Sequence, residues 1–325
     1  MGNVLDNLEI LQLSHKMDRN KYLTRKLQFP GKVFVPKSVY QFFSRFFRRA
    51  LAVARPTSHV RMRRIPPPSS KPDCKQLTIV SANLWHDWPF QRRLHERLES
   101  FAQIVENNNV DIILLQEVSR SPEIKVDEWL ADRLKMAYLY SRANGSSEIG
   151  FEEGLAIFSR YPIQDPIIKS LGNYPSAFVR RIALGAQIKT RCGELLAMSV
   201  HLGLLTSRNK SQHADLYQWI DHLPGDYPIL VGGDFNAHET SHQIKHFKTA
   251  WLDTYRHLHP VGDATTHELR TPWGSTFHRR RLDYIFLRHR KSHWRILETQ
   301  HLTTLDKPHS DHRIVLTRLA LPATI

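Results

Sequence analysis

From Gln76 onward the chain is a succession of short apolar runs: LTIVSANLW, VDIILLQEV, GLAIFSRYP, IALGAQIKT, ELLAMSVHL, YPILVGGDF, RLDYIFL and HRIVLTRLA. Runs of this length, bounded by Gly, Pro or Asn, read as strands buried on both faces. Between them QRRLHERLESFAQIVENNN and SRNKSQHADLYQWIDHL carry apolar residues at helical spacing. So many buried strands with interspersed helices require a layered α/β body in which helices cover the sheet faces. No internal repeat interrupts the series.

Several of these runs end in a polar group. Asn83 closes LTIVSAN, Glu117 follows IILLQ, His201 ends LLAMSV, and Asp234 and Asn236 follow ILVGG. Asp283 opens DYIFL, and Asp311 and His312 precede RIVL. Singly each is ordinary: a histidine at the end of an apolar run usually belongs to the core, and GGDFNA suits a turn after a strand. Jointly they place polar side chains at anchored strand ends, where they can converge on one cleft. Glu117 is the leading metal-ligand candidate, because the apolar run leaves it at the rim of a core. Asp234 and Asn236 share a face on extended backbone, one suited to orient a water and the other to hold a phosphate oxygen. Asp283 can fix the tautomer of an imidazole, and Asp311–His312 supplies an adjacent carboxylate and imidazole. Phosphodiesters resist hydrolysis because the anion repels a nucleophile and the leaving oxygen departs as an alkoxide. A divalent cation, an activated water and donors on the developing charge answer those difficulties.

LQE, GDFN, RLDYIF and SDH, in that order and with Asn83 before them, make the chain resemble the endonuclease/exonuclease/phosphatase superfamily over about residues 76–320. The resemblance implies a DNase I-like four-layer α/β sandwich: two packed, mostly antiparallel sheets flanked by helices, with the site at the strand ends. It further implies a Mg²⁺-dependent phosphoric ester hydrolase, with Mn²⁺ as an alternative ion. Glu117 would be the principal metal ligand, with Asn83 and Asp311 near the metal. Asp234 would activate the attacking water and Asn236 bind the phosphoryl group. His201 and His312 would stabilise phosphate oxygens or protonate the leaving group, with Asp283 orienting His312. Within the superfamily, LQEV and His201 depart from the LQET and tyrosine of abasic-site endonucleases, and no tryptophan leads GDFN as in inositol polyphosphate 5-phosphatases. HLG followed by SRNKSQ resembles the broad bacterial branch, although Ser199-Val200 stands where Asn-Thr is frequent.

Charge divides the chain. The net charge is +15, and residues 1–75 hold 16 Lys/Arg against 4 Asp/Glu, so +12 of it lies there. Residues 1–75 are expected to be a basic extension ending in a Pro-rich linker, and residues 76–325 the catalytic domain. Within the extension an amphipathic helix is expected at about 38–54, with Phe42, Phe43, Phe46 and Phe47 opposite Arg45, Arg48 and Arg49. It suits either docking on protein or lying on an anionic membrane. No apolar run approaches the ~18 residues of a membrane span, and the first residues lack the pattern of a secretory signal. Cys74 and Cys192 are the only cysteines, which supports free thiols and an expected cytoplasmic location. Arg180 and Arg181 are candidates to reach a phosphate, as are the arginines around Asp283 (Arg279 to Arg281, Arg288, Arg290 and Arg295, with Lys291). Trp85, Trp88 and Trp273 near the motif loops suit base stacking or rim packing. The expected partners are a phosphate ester, either nucleic acid or an anionic phospholipid, with nuclease-type chemistry ahead. A non-catalytic module of the same fold is the remaining class, and none of the motif residues it would lack is missing.

Overall fold

The computed structural model describes residues 60–64, 76–146, 150–172, 179–191, 193–270, 276–289, 294–303 and 308–320. The expected helix at 38–54, both cysteines, Trp273, Arg290 and Lys291 lie outside them. Along the chain the strands are β1 (Val60–Arg63), β2 (Leu77–Asn83), β3 (Ile112–Arg120), β4 (Ala137–Ser146), β5 (Phe151–Ser159), β6 (Ile163–Leu171), β7 (Arg181–Thr190) and β8 (Gly193–His201). They continue as β9 (Ile229–Asp234), β10 (Leu252–Asp253), β11 (His267–Arg270), β12 (Thr276–Arg280), β13 (Asp283–Arg288), β14 (Arg295–Leu302) and β15 (Ile314–Ala320). The helices are α1 (Leu94–Asn107), α2 (Val126–Leu134), α3 (Thr206–Asp221), α4 (His242–Phe247) and α5 (Thr254–Leu258).

Two sheets carry the fold. One has the order β1-β4-β5-β3-β2-β15-β14 and the other β10-β13-β9-β8-β7-β6, with β11-β12 a separate hairpin. Pairing is antiparallel except at β2–β3 and β8–β9, as the family resemblance implies. Those two parallel neighbours are joined through α1 and α3, since parallel strands need a crossover.

The period-2 pattern explains the layers. Leu77, Ile79, Ile112 and Leu114 of the first sheet meet Ile182, Leu184, Leu195, Leu230 and Ile285 of the second in the central layer. The alternate residues Val80, Ala82, Ile113 and Leu115 face outward to Leu98, Phe101 and Val105 of α1 and Val126 and Leu130 of α2. On the far side Met198, Val200, Val231 and Phe286 meet Leu216 and Ile220 of α3 and Phe247 of α4. The inner strands of both sheets are therefore dry on both faces, which accounts for their near-continuous apolar runs, while the edge strands β6 and β14 keep exposed residues.

Val60–Arg63, within the stretch expected as extension, adds the edge strand β1 to the first sheet by pairing with Tyr138–Ser141. Among the arginines around Asp283, Arg281 lies in neither cleft nor solvent. Its side chain is 1% exposed and pairs with Asp253 at 2.6 Å. No helix among the described residues is long and apolar enough to cross a membrane.

Candidate active site

Toward one end of the sandwich the central layer changes from apolar to polar without changing its geometry. On β2 the residues sharing the inward face run Leu77, Ile79, Ser81, Asn83, and on β8 they run Leu195, Ala197, Ser199, His201. On β9 they are Leu230, Gly232 and Asp234, and β13 begins with Asp283 before Ile285 and Leu287. Register brings these ends together: His201 and Asp283 both lie opposite Asp234, and Asn83 lies opposite Gln116. Across the seam between the sheets Gln116 Nε2 donates to Ser199 Oγ (2.9 Å), which donates to the Leu115 carbonyl (2.9 Å). Gly232 permits the close approach: a Cβ there would stand 2.7 Å from Leu114 Cδ1 and 3.1 Å from Ser81 Cβ.

Glu117 reaches the site through a break in the alternation. β3 shifts register between Leu115 and Val118, and Glu117 takes the left-handed conformation, φ +55°. A bulge re-aims a side chain in this way. The left-handed conformation costs about 1–2 kcal/mol, comparable to the ~1.5–3 kcal/mol from burying one large aliphatic side chain. Leu114, Leu115 and Val118 on either side are fully buried and hold it. Glu117 Oε1 accepts from Asn83 Nδ2 (3.2 Å), and Oε2 accepts the His86 backbone N–H (3.0 Å). Asn83 Nδ2 also lies 3.3 Å from Asp234 Oδ2, so one amide spans carboxylates from both sheets.

The two histidines are tuned oppositely. Arg181 lies 2.9 Å from His201 Nδ1, and a guanidinium can only donate. The ring proton therefore sits on Nε2, 3.5 Å from Asp234 Oδ2. Burial, and then the Arg181 charge, hold His201 well below its usual range, so it is a neutral donor. His312 Nδ1 meets Asp283 Oδ2 at 2.8 Å. Burial works against the charge on that ring, yet Asp283, with Asp234 and Asp311, carries His312 to about 10. It is a cation with its other N–H available. Thr266 Oγ1 steadies the carboxylate's strand by accepting from the Leu282 and Asp283 backbone N–H groups (2.9 and 3.1 Å).

Asp234, 2% exposed, is pushed up to about 7 by burial and by Asp283. Asn236, also left-handed at φ +48°, donates through Nδ2 to Asp234 Oδ2 (3.1 Å) and to the Leu202 carbonyl (2.9 Å). Its amide therefore positions Asp234. The carboxylate oxygens of Glu117 at the mouth suit a hard divalent cation, while the Asn83 amide turns its nitrogen to Glu117 and Asp234 and its oxygen to the Trp85 backbone N–H (2.9 Å). Asp283 Oδ1 is buried without a hydrogen-bond partner, and with the raised Asp234 it marks anionic oxygen in excess of positive charge.

Asn83, Glu117, His201, Asp234, Asn236, Asp283 and His312 are thus drawn into one contiguous network. Asp311 lies on its rim, its carboxylate 3.2 Å from Ser310 Oγ and 3.8 Å from His267 Nε2. Arg180 and Arg181 line a recess with Glu117, Glu153 and His201, where Arg181 engages the imidazole. Trp85 is covered by the guanidinium groups of Arg92 and Arg97 (5.5 and 4.9 Å from the ring centre), and Trp88 packs on Phe151. Sequence reasoning missed three contributors. His86 Nε2 lies 3.1 Å from Glu153 Oε2 and 3.5 Å from Glu117 Oε2. Arg97 donates to the carbonyls of Leu84, Trp85 and His309, tying the loop after β2 to the SDH segment. Ser199 is the cross-seam link, and its sole signal was the departure from Asn-Thr before the histidine.

This arrangement is that of a phosphoesterase of the two-sheet kind. The profile of the Endonuclease/Exonuclease/phosphatase family matches residues 80–312, and the chain belongs to that family, whose members are hydrolases of phosphoesters and generally use divalent metals. The uncharacterized protein YbhP of Escherichia coli (strain K12) is 30% identical over 162 residues, 46% of this chain and 63% of YbhP. The match thus spans less than two thirds of that relative. Among solved structures, an endonuclease/exonuclease/phosphatase family protein from Leptotrichia buccalis C-1013-b superposes with a TM-score of 0.62 at 17% identity, over 75% of this chain and 99% of that one. D. rerio TDP2, complexed with a single-strand DNA product, gives a TM-score of 0.61 at 20% identity, over 75% of this chain and 98% of that one. At these identities the likeness is one of fold.

Proposed function

We propose that the chain is a Mg²⁺-dependent phosphodiesterase acting on nucleic acid. The observation that carries the reading is the opposed tuning of His201 and His312 around Asp234 at one mouth. A divalent cation held by Glu117, with Asn83 close by, would when bound withdraw charge from the phosphate oxygens. Asp234, poised near neutrality, takes a proton from the attacking water. A new P–O bond forms and the ester P–O bond breaks on the opposite side. His312, protonated and fixed by Asp283, gives its Nε2 proton to the leaving oxygen. His201 offers an uncharged N–H to a phosphoryl oxygen, where preorganised donors are most effective. The single-strand DNA product on the similar TDP2 fold favours a polynucleotide substrate.

A lipid headgroup is the second reading. Leu204 and Leu205, directly after the His201 strand, are 74% and 62% exposed, as an interfacial enzyme would have near its mouth. One panel tests both: full-length protein with Mg²⁺ on plasmid, single-stranded DNA, RNA and anionic phospholipid vesicles, with Glu117→Ala as the blank. We expect polynucleotide cleavage lost in the variant while its circular dichroism is unchanged. Headgroup release would select the second reading, and undiminished activity of a folded Glu117→Ala protein would overturn both.

A further inference from the structure

Three groups of metal-ligating side chains occur among the described residues: His86 with Glu117 and Glu153, Asp234 with Asp283 and His312, and His267 with Asp311 and His312. Tautomers separate them. The Trp88 N–H donates to His86 Nδ1 (2.9 Å), so the His86 ring proton sits on Nε2, the atom facing both carboxylates. That ring is a donor to them. The second group is the buried core of the proposed reaction, its His312–Asp283 pair closed at 2.8 Å.

The third group is arranged differently. Asp283 takes the Nδ1–H of His312, which leaves Nε2 as the ring's ligand atom, the carboxylate–imidazole order found behind metal-bound histidines. A β-bridge between His267 and His312 sets the rings 4.4 Å apart, tilted by 42°. Asp311 Oδ2 lies 3.8 Å from His267 Nε2, and the three donor atoms all fall within 4.8 Å of one another. Zn²⁺ bonds of about 2.0–2.2 Å bring tetrahedral ligand atoms to about 3.3 Å. The remaining contraction is small for the Asp311 side chain, 36% exposed. Two imidazoles and one carboxylate suit Zn²⁺ and its transition-metal neighbours, whereas Mg²⁺ wants oxygen.

We propose that His267, Asp311 and His312 form a transition-metal site separate from the Glu117 seat, and that Zn²⁺ there stops the reaction by occupying His312 Nε2. The inhibitory half rests on the role given to His312 above; the binding half does not. Binding displaces the Nε2 proton of His312 to solvent.

The test uses Co²⁺ as a spectroscopic probe and Zn²⁺ in calorimetry, on full-length wild type, Glu117→Gln, His267→Phe and His267→Gln proteins. We expect visible Co²⁺ bands and Zn²⁺ binding in wild type and in Glu117→Gln. Both His267 variants should weaken binding by more than about 100-fold, beyond what loss of an outer partner costs. With Mg²⁺ present, His267→Phe should turn over like wild type yet resist Zn²⁺ inhibition. Equal Co²⁺ binding in wild type and both His267 variants overturns the site, as does binding lost in Glu117→Gln. Binding as expected with no Zn²⁺ inhibition of an active enzyme overturns the inhibitory half. An inactive protein that binds Co²⁺ through His267 instead counts against the phosphodiesterase reading alone.

Discussion

His201 and Arg181 form a pair whose polarity matters more than its distance. A carboxylate at Nδ1 would make Nε2 basic, whereas the guanidinium makes it a neutral donor. Arg181→Met frees Nδ1 and lets the ring adopt either tautomer. We expect kcat to fall by about 10²–10³-fold, with the ¹⁵N shifts of His201 moving toward a tautomer mixture. Arg181→Gln keeps a donor amide and should recover most of the rate; equal losses in both variants would point to a phosphate contact instead. His213 offers a test remote from this chemistry. It is buried, its Nε2 lies 3.2 Å from the Phe235 carbonyl, and burial lowers it from 6.5 to about 4. The folded state therefore resists a proton that the unfolded chain accepts. Its stabilisation is complete above the unfolded value of 6.5 and is lost as pH falls toward 4, by up to about 3 kcal/mol. His213→Leu should flatten that acid limb, seen as a smaller drop in urea midpoint between neutral pH and about pH 5.

At the scale of elements, the buried Arg281 joins the β13 entry to Asp253, the side-chain cap of α5. Removing one partner leaves the other charge buried with only a longer contact, Glu239 at 3.3 Å for Arg281 or Lys248 at 3.4 Å for Asp253. Arg281→Met should cost about 3–5 kcal/mol in equilibrium unfolding, and Arg281→Met with Asp253→Leu much less. The sequence could not announce this pair: HRRRLDYIF reads as one basic run, and nothing local marks its third arginine for a partner on another strand. The layers were legible because alternation survives even in wholly apolar strands, through length and bounding turns. Site residues ending β2, β8 and β9 were legible for the same reason, as polar terminators of dry strands. Glu117 stood out as a candidate, but simple alternation would turn it away from Gln116's face. The bulge that brings it in depends on pairing with β5, which the strand's own residues do not reveal. Arg181 was read only as a phosphate contact, because its partner is an imidazole at the far end of the next strand. His86 escaped a role because its partners are carboxylates on β3 and β5.

For the whole molecule, β1 changes where an extension can be cut. Val60–Arg63 covers the edge of β4 along Tyr138–Ser141, and an uncovered edge recruits other chains. Deleting residues 1–59 should leave cleavage of a small soluble diester intact. Deleting 1–72 should raise light scattering and lower the melting temperature; identical behaviour of the two truncations would deny β1 that protective role. The basic residues before β1 are then the ones to examine for a tether to polymer or membrane.

The seam has a consequence of its own. Glu117 and Asn83 ride on one sheet, and His201, Asp234 and Asp283 on the other, so neither half of the sandwich owns a reaction centre. The two slabs act like the halves of a vernier, and turnover reads their alignment. Sliding them by a fraction of a strand spacing would silence the protein while every strand remained paired within its own sheet. Gentle pressure or dilute urea should therefore extinguish activity well ahead of any change in far-ultraviolet dichroism, and a mutation deep between the slabs should behave as an active-site mutation while touching no substrate.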